Sequence, residues 1–298
     1  MKLIDSHFHI YKSEQAGIMA QGGQSFLGFK GIFEEALPIL DRGRIRKIMG
    51  LAVLPVFPMR NTAMIKWSPD LSFPEKRALG LELEEKLQKR LSSYNEWLCR
   101  TAREDGRIEP VIVADATIDR NYMAEEIQSR IDEFQIKALK IHPTVNGLSP
   151  AAEGYSNIFE IASDRNLVVI SHGGLSGEDM EGKLCSPENF EKALTDFPKL
   201  KLVVAHLAFP HVDALLELSR KFPGLYTDIS FVLRNTPLSD DDFCRIIRDF
   251  GPERVLFGSD APWSDPEKDA NRLLSLALSE KELERVAWKN AAELFRLE

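Results

Sequence analysis

Histidines recur at the ends of short aliphatic and β-branched runs, and this placement is the strongest chemical signal in the chain. Five of the six histidines lie at or just after the end of such a run, and one further run closes on an aspartate. Strand side chains alternate between faces, so His7 and His9 project the same way and can hold one ion together. The order along the chain therefore predicts a metal site. The residues concerned are His7, His9, His142, His172, His206 and Asp260.

The predicted site suits a catalytic divalent ion, with zinc as the first choice. Catalytic zinc usually takes three protein ligands and keeps a position for water, whose pKa it lowers toward neutrality. His7, His9 and His172 can supply nitrogens. Asp260 can bind the ion and also take a proton from its water, because a carboxylate beside a cation stays ionised. His206 could polarise a substrate carbonyl, accept a proton or bind a second metal.

Strand-like runs and amphipathic stretches alternate along the whole chain. Eight such units predict an α/β fold, an eight-stranded (β/α)8 TIM barrel, as a single domain over residues 1–298. The connection from Leu54 to Pro74 is irregular, and we interpret it either as a lid or substrate wall or as a surface excursion. Strands are expected near 2–9, 47–54, 109–115, 136–142, 167–172, 201–206, 224–229 and 254–259. Helices are expected near 31–40, 75–104, 121–134, 157–165, 187–197, 211–222, 239–249 and 279–295.

Composition narrows the class of partner. A net charge of -8 gives no electrostatic footprint for nucleic acid or an anionic membrane and favours a small-molecule substrate. The three cysteines lack paired metal spacing, which indicates buried thiols and a reducing compartment. The start shows no signal-peptide pattern and no later run has the length of a membrane span, so we expect a cytoplasmic protein.

Five segments of the sequence, taken together, resemble the amidohydrolase superfamily. Within it they are most similar to the second amidohydrolase family, which includes aminocarboxymuconate-semialdehyde-decarboxylase-like enzymes and many hydrolases. The resemblance implies a distorted barrel, metal ligands at His7, His9, His172 and Asp260, and a catalytic histidine at His206. A homodimer is also consistent with this resemblance. The segments are Ile4–His9, Lys140–Pro143, Ser171–Gly174, Val204–His206 and Leu256–Asp260.

Three neighbours of the predicted ligands have roles that the sequence leaves open. In superfamily members with two metals, a lysine at the end of the fourth strand is carbamylated and bridges the ions, and Lys140 is in about the right strand. Second-family members commonly hold one ion, which is what we expect here, and Lys140 would then be an ammonium that binds a substrate carboxylate. His142 shares its face and either approaches the metal or caps the following turn. Asp5 is expected to orient one of the two strand-one histidines by a hydrogen bond.

Two reactions fit the same ligands. The first expectation is a metal-dependent hydrolase that uses metal-activated water on an amide, ester or lactone. The alternative is non-oxidative decarboxylation of an unsaturated or aromatic acid, for which Arg60 or Arg234 could bind the carboxylate. Trp67, Tyr155 and Trp263 are expected in loops after strands, where they either line the pocket or pack the loops themselves. A TatD-type nuclease and a non-catalytic metal-binding barrel are weaker alternatives.

Overall fold

The computed structural model describes residues 1–177 and 179–297, and its central feature is a ring of eight parallel strands. Each strand pairs in parallel with the next one along the chain, which is the order of a (β/α)8 barrel. The predicted α/β barrel is therefore confirmed. The strands are β1 Leu3–His9, β2 Ile45–Leu51, β3 Ile108–Val113, β4 Ala138–Ile141, β5 Val168–Ser171, β6 Lys201–Val204, β7 Leu225–Asp228 and β8 Val255–Leu256.

Backbone hydrogen bonds bring the segment after β8 against β1. The Asp260 N–H donates to the His7 carbonyl at 2.7 Å, and the His9 N–H donates to the Ala261 carbonyl at 2.9 Å. These contacts nearly close the barrel. They also place Asp260 beside the two histidines of β1, although these residues lie at opposite ends of the sequence.

The helices surround the strands and pack on their outer faces. The longest, with 32 residues, is polar on its outer side, and no helix in the described part of the chain is both long and apolar enough to cross a membrane. The helices are α1 Glu14–Ala20, α2 Phe33–Asp41, α3 Val56–Ile65, α4 Phe73–Glu104, α5 Arg120–Phe134, α6 Pro143–Asn146, α7 Glu153–Asp164, α8 Glu191–Asp196, α9 Val212–Lys221, α10 Val232–Asn235, α11 Asp240–Phe250, α12 Pro266–Ser275, α13 Glu280–Glu284 and α14 Asn290–Phe295. Single 3-10 turns lie at Pro187–Phe190, His206–Ala208 and Pro252–Arg254, and a π-helical turn at Arg285–Lys289 joins α13 to α14.

The core has two parts, one inside the barrel and one between the strands and the helices. Inside, small and medium aliphatic side chains from the strands fill the barrel, and Phe295 with Leu294 of α14 packs against them. In β4, Ala138 belongs to this inner layer, so Lys140, two residues further on, points to the same side. The inner strand residues are Ile4, Met49, Leu51, Val111, Ala138, Val168, Ile170, Val203 and Leu256. This packed floor supports polar residues at the carboxyl ends of the strands.

Several connections that the sequence suggested were irregular contain helices. The expected loop from Leu54 to Pro74 includes the ten-residue helix α3, so the reading of that whole segment as irregular was wrong. Tyr155, expected in a loop, lies fully buried in α7. The short helices α1, α6, α10 and α12 were also not predicted. The predicted helix 279–295 is interrupted by the π-helical turn.

Candidate metal centre

Three donor atoms converge at the carboxyl end of the barrel. The Asp260 Oδ1 atom lies 3.4 Å from His7 Nε2 and 3.1 Å from His9 Nε2. Two donors bound to one divalent ion at about 2.1 Å each lie roughly 3.0 to 3.4 Å apart in octahedral or tetrahedral geometry. All three side chains are buried. The distances from Asp260 Oδ1 to the two imidazole nitrogens thus match the spacing of two donors on a single ion.

His206 lies beside this group. Donor atoms of His7, His206 and Asp260 all fall within 4.8 Å of one another, and the His7 and His206 rings are 4.8 Å apart between centroids. His206 and Asp260 both have a positive φ, 60° and 64°, a conformation that non-glycine residues rarely adopt. The turns after β6 and β8 hold these two side chains toward the same point.

His172 and His142 extend the row of neighbouring imidazole rings that begins with His7 and His206. Their rings stack at 4.2 Å with an interplanar angle of 7°, and the His172 ring is 5.0 Å from that of His206. The His172 Nε2–H donates to the Leu175 carbonyl at 2.8 Å, which leaves only Nδ1 for a metal. The His142 Nδ1 accepts the Val145 N–H at 3.3 Å and so caps the turn of α6, as one of the two readings expected.

Lys140 reaches the converging donors from β4. Its Nζ atom lies 3.3 Å from His7 Nε2, and the side chain is almost completely buried. Burial lowers the pKa of Lys140 to about 8, and the nearby carboxylates of Asp260 and Asp228 oppose that shift. The structure therefore brings Lys140 to the same point as the predicted ligands.

The protonation states suit a divalent cation. Burial, reinforced by repulsion from Lys140, lowers the pKa of His7 to about 3 and that of His9 well below its usual value. Burial raises the pKa of Asp260, while attraction to His206, His7 and Lys140 opposes the rise. A bound cation would favour the ionised carboxylate. Neutral imidazole nitrogens and a carboxylate oxygen are donors that zinc and other first-row divalent metals accept, so these residues fit such an ion.

Asp5 was expected to orient a histidine ring by a hydrogen bond, and this expectation was wrong. Its Oδ1 accepts the backbone N–H of His7 at 3.1 Å and that of Ser259 at 2.9 Å, so it ties β1 to the segment after β8 and does not contact an imidazole. The partner of the His7 ring is Asp228, whose Oδ2 lies 2.9 Å from His7 Nδ1. Asp228 was not predicted from the sequence, although it ends β7 just as the histidines end their own strands.

The four residues expected to contact substrate are placed differently. Trp263 meets the His9 ring edge-on at 4.9 Å between centroids, so it lies at the centre. Arg60 is held by Glu84 and Thr117 through both ends of its guanidinium group. The two remaining residues also pack elsewhere: Trp67 lies against Gly80 in α4, and the Arg234 Nε is 4.0 Å from Asp269 Oδ1.

The fold and this arrangement of strand-end residues define a class of enzymes. Residues 4–297 match the family described as Amidohydrolase, the second amidohydrolase family, and the chain belongs to that family. It is thus an enzyme of the amidohydrolase superfamily, as the sequence resemblance indicated.

Three known proteins illustrate the relationship. A curated γ-resorcylate decarboxylase from Polaromonas sp. strain JS666 is 23% identical over 116 residues, which cover 34% of this chain and only 36% of that enzyme. A dihydroxybenzoic acid decarboxylase from Polaromonas sp. JS666, solved with manganese and 2-nitroresorcinol, superposes with a TM-score of 0.73 at 14% sequence identity. The superposition covers 99% of this chain and 97% of that enzyme's chain. The 5-carboxyvanillate decarboxylase from Sphingomonas paucimobilis gives a TM-score of 0.73 at 15% identity, covering 100% and 99%. At these sequence identities, the structural similarity shows that the fold is shared and does not by itself show a shared activity.

Proposed function

We propose that this protein is a metal-dependent, non-oxidative decarboxylase of a hydroxylated aromatic acid. The observation that carries the proposal is the convergence of His7, His9 and Asp260 on one point, with Lys140 and His206 beside it. The related proteins act on dihydroxybenzoic and carboxyvanillic acids. They support the decarboxylase alternative better than the hydrolase that we expected first.

A single divalent ion would be held by His7 Nε2, His9 Nε2 and Asp260 Oδ1, with His172 Nδ1 as a further donor. When bound, the ion supplies positive charge that fixes substrate oxygens and stabilises developing negative charge. Zinc was the first choice from the sequence, whereas the dihydroxybenzoic acid decarboxylase was solved with manganese. The same donors accept either metal, so we propose the ion only as divalent.

Proton transfer follows from the hydrogen bonds of His206. Its Nδ1–H donates a hydrogen bond to the Ser230 carbonyl at 3.0 Å, so a neutral His206 offers Nε2 as a proton acceptor. The substrate hydroxyl would give its proton to this nitrogen. Asp260 uses Oδ1 for the ion, so its Oδ2 atom, after taking a proton from solvent, would be the acid that places this proton on the ring carbon carrying the carboxylate.

The reaction balances without an oxidant or a reductant. The ring carbon forms a bond to the proton from Asp260, the bond to the carboxylate breaks, and its electron pair returns to the ring as carbon dioxide leaves. The proton held by His206 goes back to the hydroxyl oxygen, and solvent reprotonates Asp260. The net change is the replacement of a carboxylate by hydrogen.

The surroundings suit an aromatic acid. Trp263 stands edge-on to His9, and the Tyr11 ring stacks parallel to the same histidine at 5.9 Å. Aromatic substrates pack favourably against such π-surfaces. Lys140 supplies a buried amine beside the ion position that, when protonated, would attract a carboxylate.

The test is a substrate screen on protein stripped of metal and reloaded with Mn²⁺ or Zn²⁺. Carbon dioxide and the decarboxylated product are measured with 2,6-dihydroxybenzoate, 5-carboxyvanillate and related hydroxybenzoates, and amides, esters and lactones are assayed in parallel. We expect metal-dependent release of carbon dioxide that His9→Ala abolishes. His211→Ala is the matched control, because His211 bonds the Glu181 carbonyl outside the site. Hydrolysis of an ester or lactone with no carbon dioxide from any acid would overturn the proposal.

A further inference from the structure

We propose that Asp228 is a positioning residue that sets the tautomers of His7 and His206 at the same time, one with each carboxylate oxygen. This inference deepens the proposed function and rests on it for the role of the metal. Asp228 closes β7 at the floor of the candidate metal centre and is completely buried. Its two oxygens face different elements of the barrel, and each serves a different histidine.

The Oδ2 atom serves the metal ligand. It lies 2.9 Å from His7 Nδ1, and an ionised carboxylate can only accept a hydrogen bond. The proton of neutral His7 is therefore fixed on Nδ1, and the Nε2 lone pair faces Asp260 Oδ1 at 3.4 Å and Lys140 Nζ at 3.3 Å. Carboxylates that bind the outer nitrogen of a metal-ligating histidine orient the ring and raise its basicity.

The Oδ1 atom serves His206 through Ser230. It accepts the backbone N–H groups of His206 at 2.9 Å and of Ser230 at 3.1 Å, and it also accepts the Ser230 hydroxyl. Because the hydroxyl proton is used in that contact, the Ser230 Oγ atom can only accept from His206 Nδ1, at 2.9 Å. The Ser230 carbonyl accepts from the same nitrogen at 3.0 Å. His206 is thus also fixed with its proton on Nδ1 and its Nε2 free.

The contacts of this buried side chain are those of a carboxylate. Its Oδ1 accepts two backbone N–H groups and a hydroxyl, and its Oδ2 faces the ring nitrogen of His7. A carboxylate with donors on both oxygens cannot be replaced by an amide without losing one acceptor. In Asp228→Asn the amide oxygen is needed at the crowded Oδ1 position. The amide nitrogen would therefore face His7 Nδ1 and donate to it, which moves the His7 proton to Nε2 and blocks the metal.

Loss of the contact to His7 should weaken metal binding, whereas loss of the contact to His206 should lower kcat. Asp228→Asn should weaken metal binding about 10- to 100-fold, the range seen when such outer partners are removed. Ser230→Ala keeps Asp228 against His7, so metal affinity should stay within about threefold while kcat falls about 10- to 100-fold with little change in KM. Metal affinity is measured by chelator competition without substrate. Asp213→Asn on the exposed face of α9 is the matched control, and circular dichroism with thermal unfolding checks that each variant folds.

Nitrogen-15 chemical shifts of the histidine rings in metal-free protein test the proposal without any activity. We expect the Nδ1–H tautomer for His7 and His206 in the wild type, a switch of His7 to Nε2–H in Asp228→Asn, and an effect confined to His206 in Ser230→Ala. Unchanged His7 tautomer and metal affinity in Asp228→Asn would overturn the proposal, as would an equal loss of metal affinity in Ser230→Ala. The expected tautomers in a protein that decarboxylates no acid would support this inference and refute the proposed function.

Discussion

Asp269 on α12 is a buried carboxylate whose replacement should stabilise the protein in a pH-dependent way. Within the described residues neither of its oxygens has a hydrogen-bond partner, and the side chain is 1% exposed. Burial raises the pKa of Asp269 to about 7, the nearby Ser264 hydroxyl and Arg234 oppose the rise, and the charges of Asp265 and Asp260 add to it. Asp269→Asn keeps the shape of the side chain and removes the charge.

The sign and size of the effect follow from proton linkage. The folded protein holds the Asp269 proton up to about pH 7, whereas the unfolded chain loses it near the ordinary aspartate pKa of 3.8. Stability from this group is therefore fully present below the lower pKa and is lost as pH rises to the higher one. Roughly three pKa units correspond to at most about 4 kcal/mol. Since the folded site can relax around the charge, we expect Asp269→Asn to gain on the order of 2 kcal/mol at pH 8 and at most about 1 kcal/mol at pH 4.5, where the unfolded carboxyl is only partly protonated.

The assay is urea unfolding of metal-free protein at both pH values. Asp70→Asn, in an exposed loop, is the matched control and should leave the midpoint nearly unchanged at either pH. An Asp269→Asn variant that is no more stable than the wild type at pH 8 would show that the buried charge costs no stability. An equal gain at pH 4.5 and pH 8 would show that the effect does not arise from ionisation.

Three further predictions concern the site and its support. Trp263→Leu should raise KM for an aromatic acid about tenfold with kcat nearly unchanged, because the π-surface beside His9 is lost. Steady-state kinetics measures both constants, and the same effect in Trp67→Leu would contradict this reason. Tyr155→Phe should cost about 1 to 3 kcal/mol of stability in urea unfolding, since its hydroxyl donates to a buried amide oxygen at 2.6 Å; a loss no larger than in Tyr122→Phe would refute that reason. Native mass spectrometry should find Lys140 unmodified and one ion per chain, and a carbamate on Lys140 would show instead that the site is binuclear.

The fold could be predicted because strand periodicity and strand ends are local signals. Most of the eight strands appear in the sequence as short runs rich in aliphatic residues, and His7 and His9 mark the end of the first. Parallel strands in a barrel must end on one face. The position of His206 and Asp260 near those histidines therefore followed from order alone, before any contact was known.

The parts that the sequence did not predict depend on contacts between distant segments or on weak local signals. Asp228 looks like an ordinary strand-end aspartate until β7 lies beside β1 and its carboxylate meets His7. Arg60 looks like a free cation until α3 packs on α4 and Glu84 pairs with it. Helix α3 itself was hidden by Pro58, which is tolerated because it lies in the first turn, where no intrahelical N–H bond is lost.

Anomalous X-ray diffraction from crystals of the manganese-loaded protein would locate the bound ion directly. We expect one ion per chain, within bonding distance of His7 Nε2, His9 Nε2 and an Asp260 carboxylate oxygen. An ion bound elsewhere, or a crystal with no anomalous peak among these three side chains, would show that these residues do not form the metal site. Two ions bridged through Lys140 would contradict the single-ion assignment and return the weight to hydrolysis.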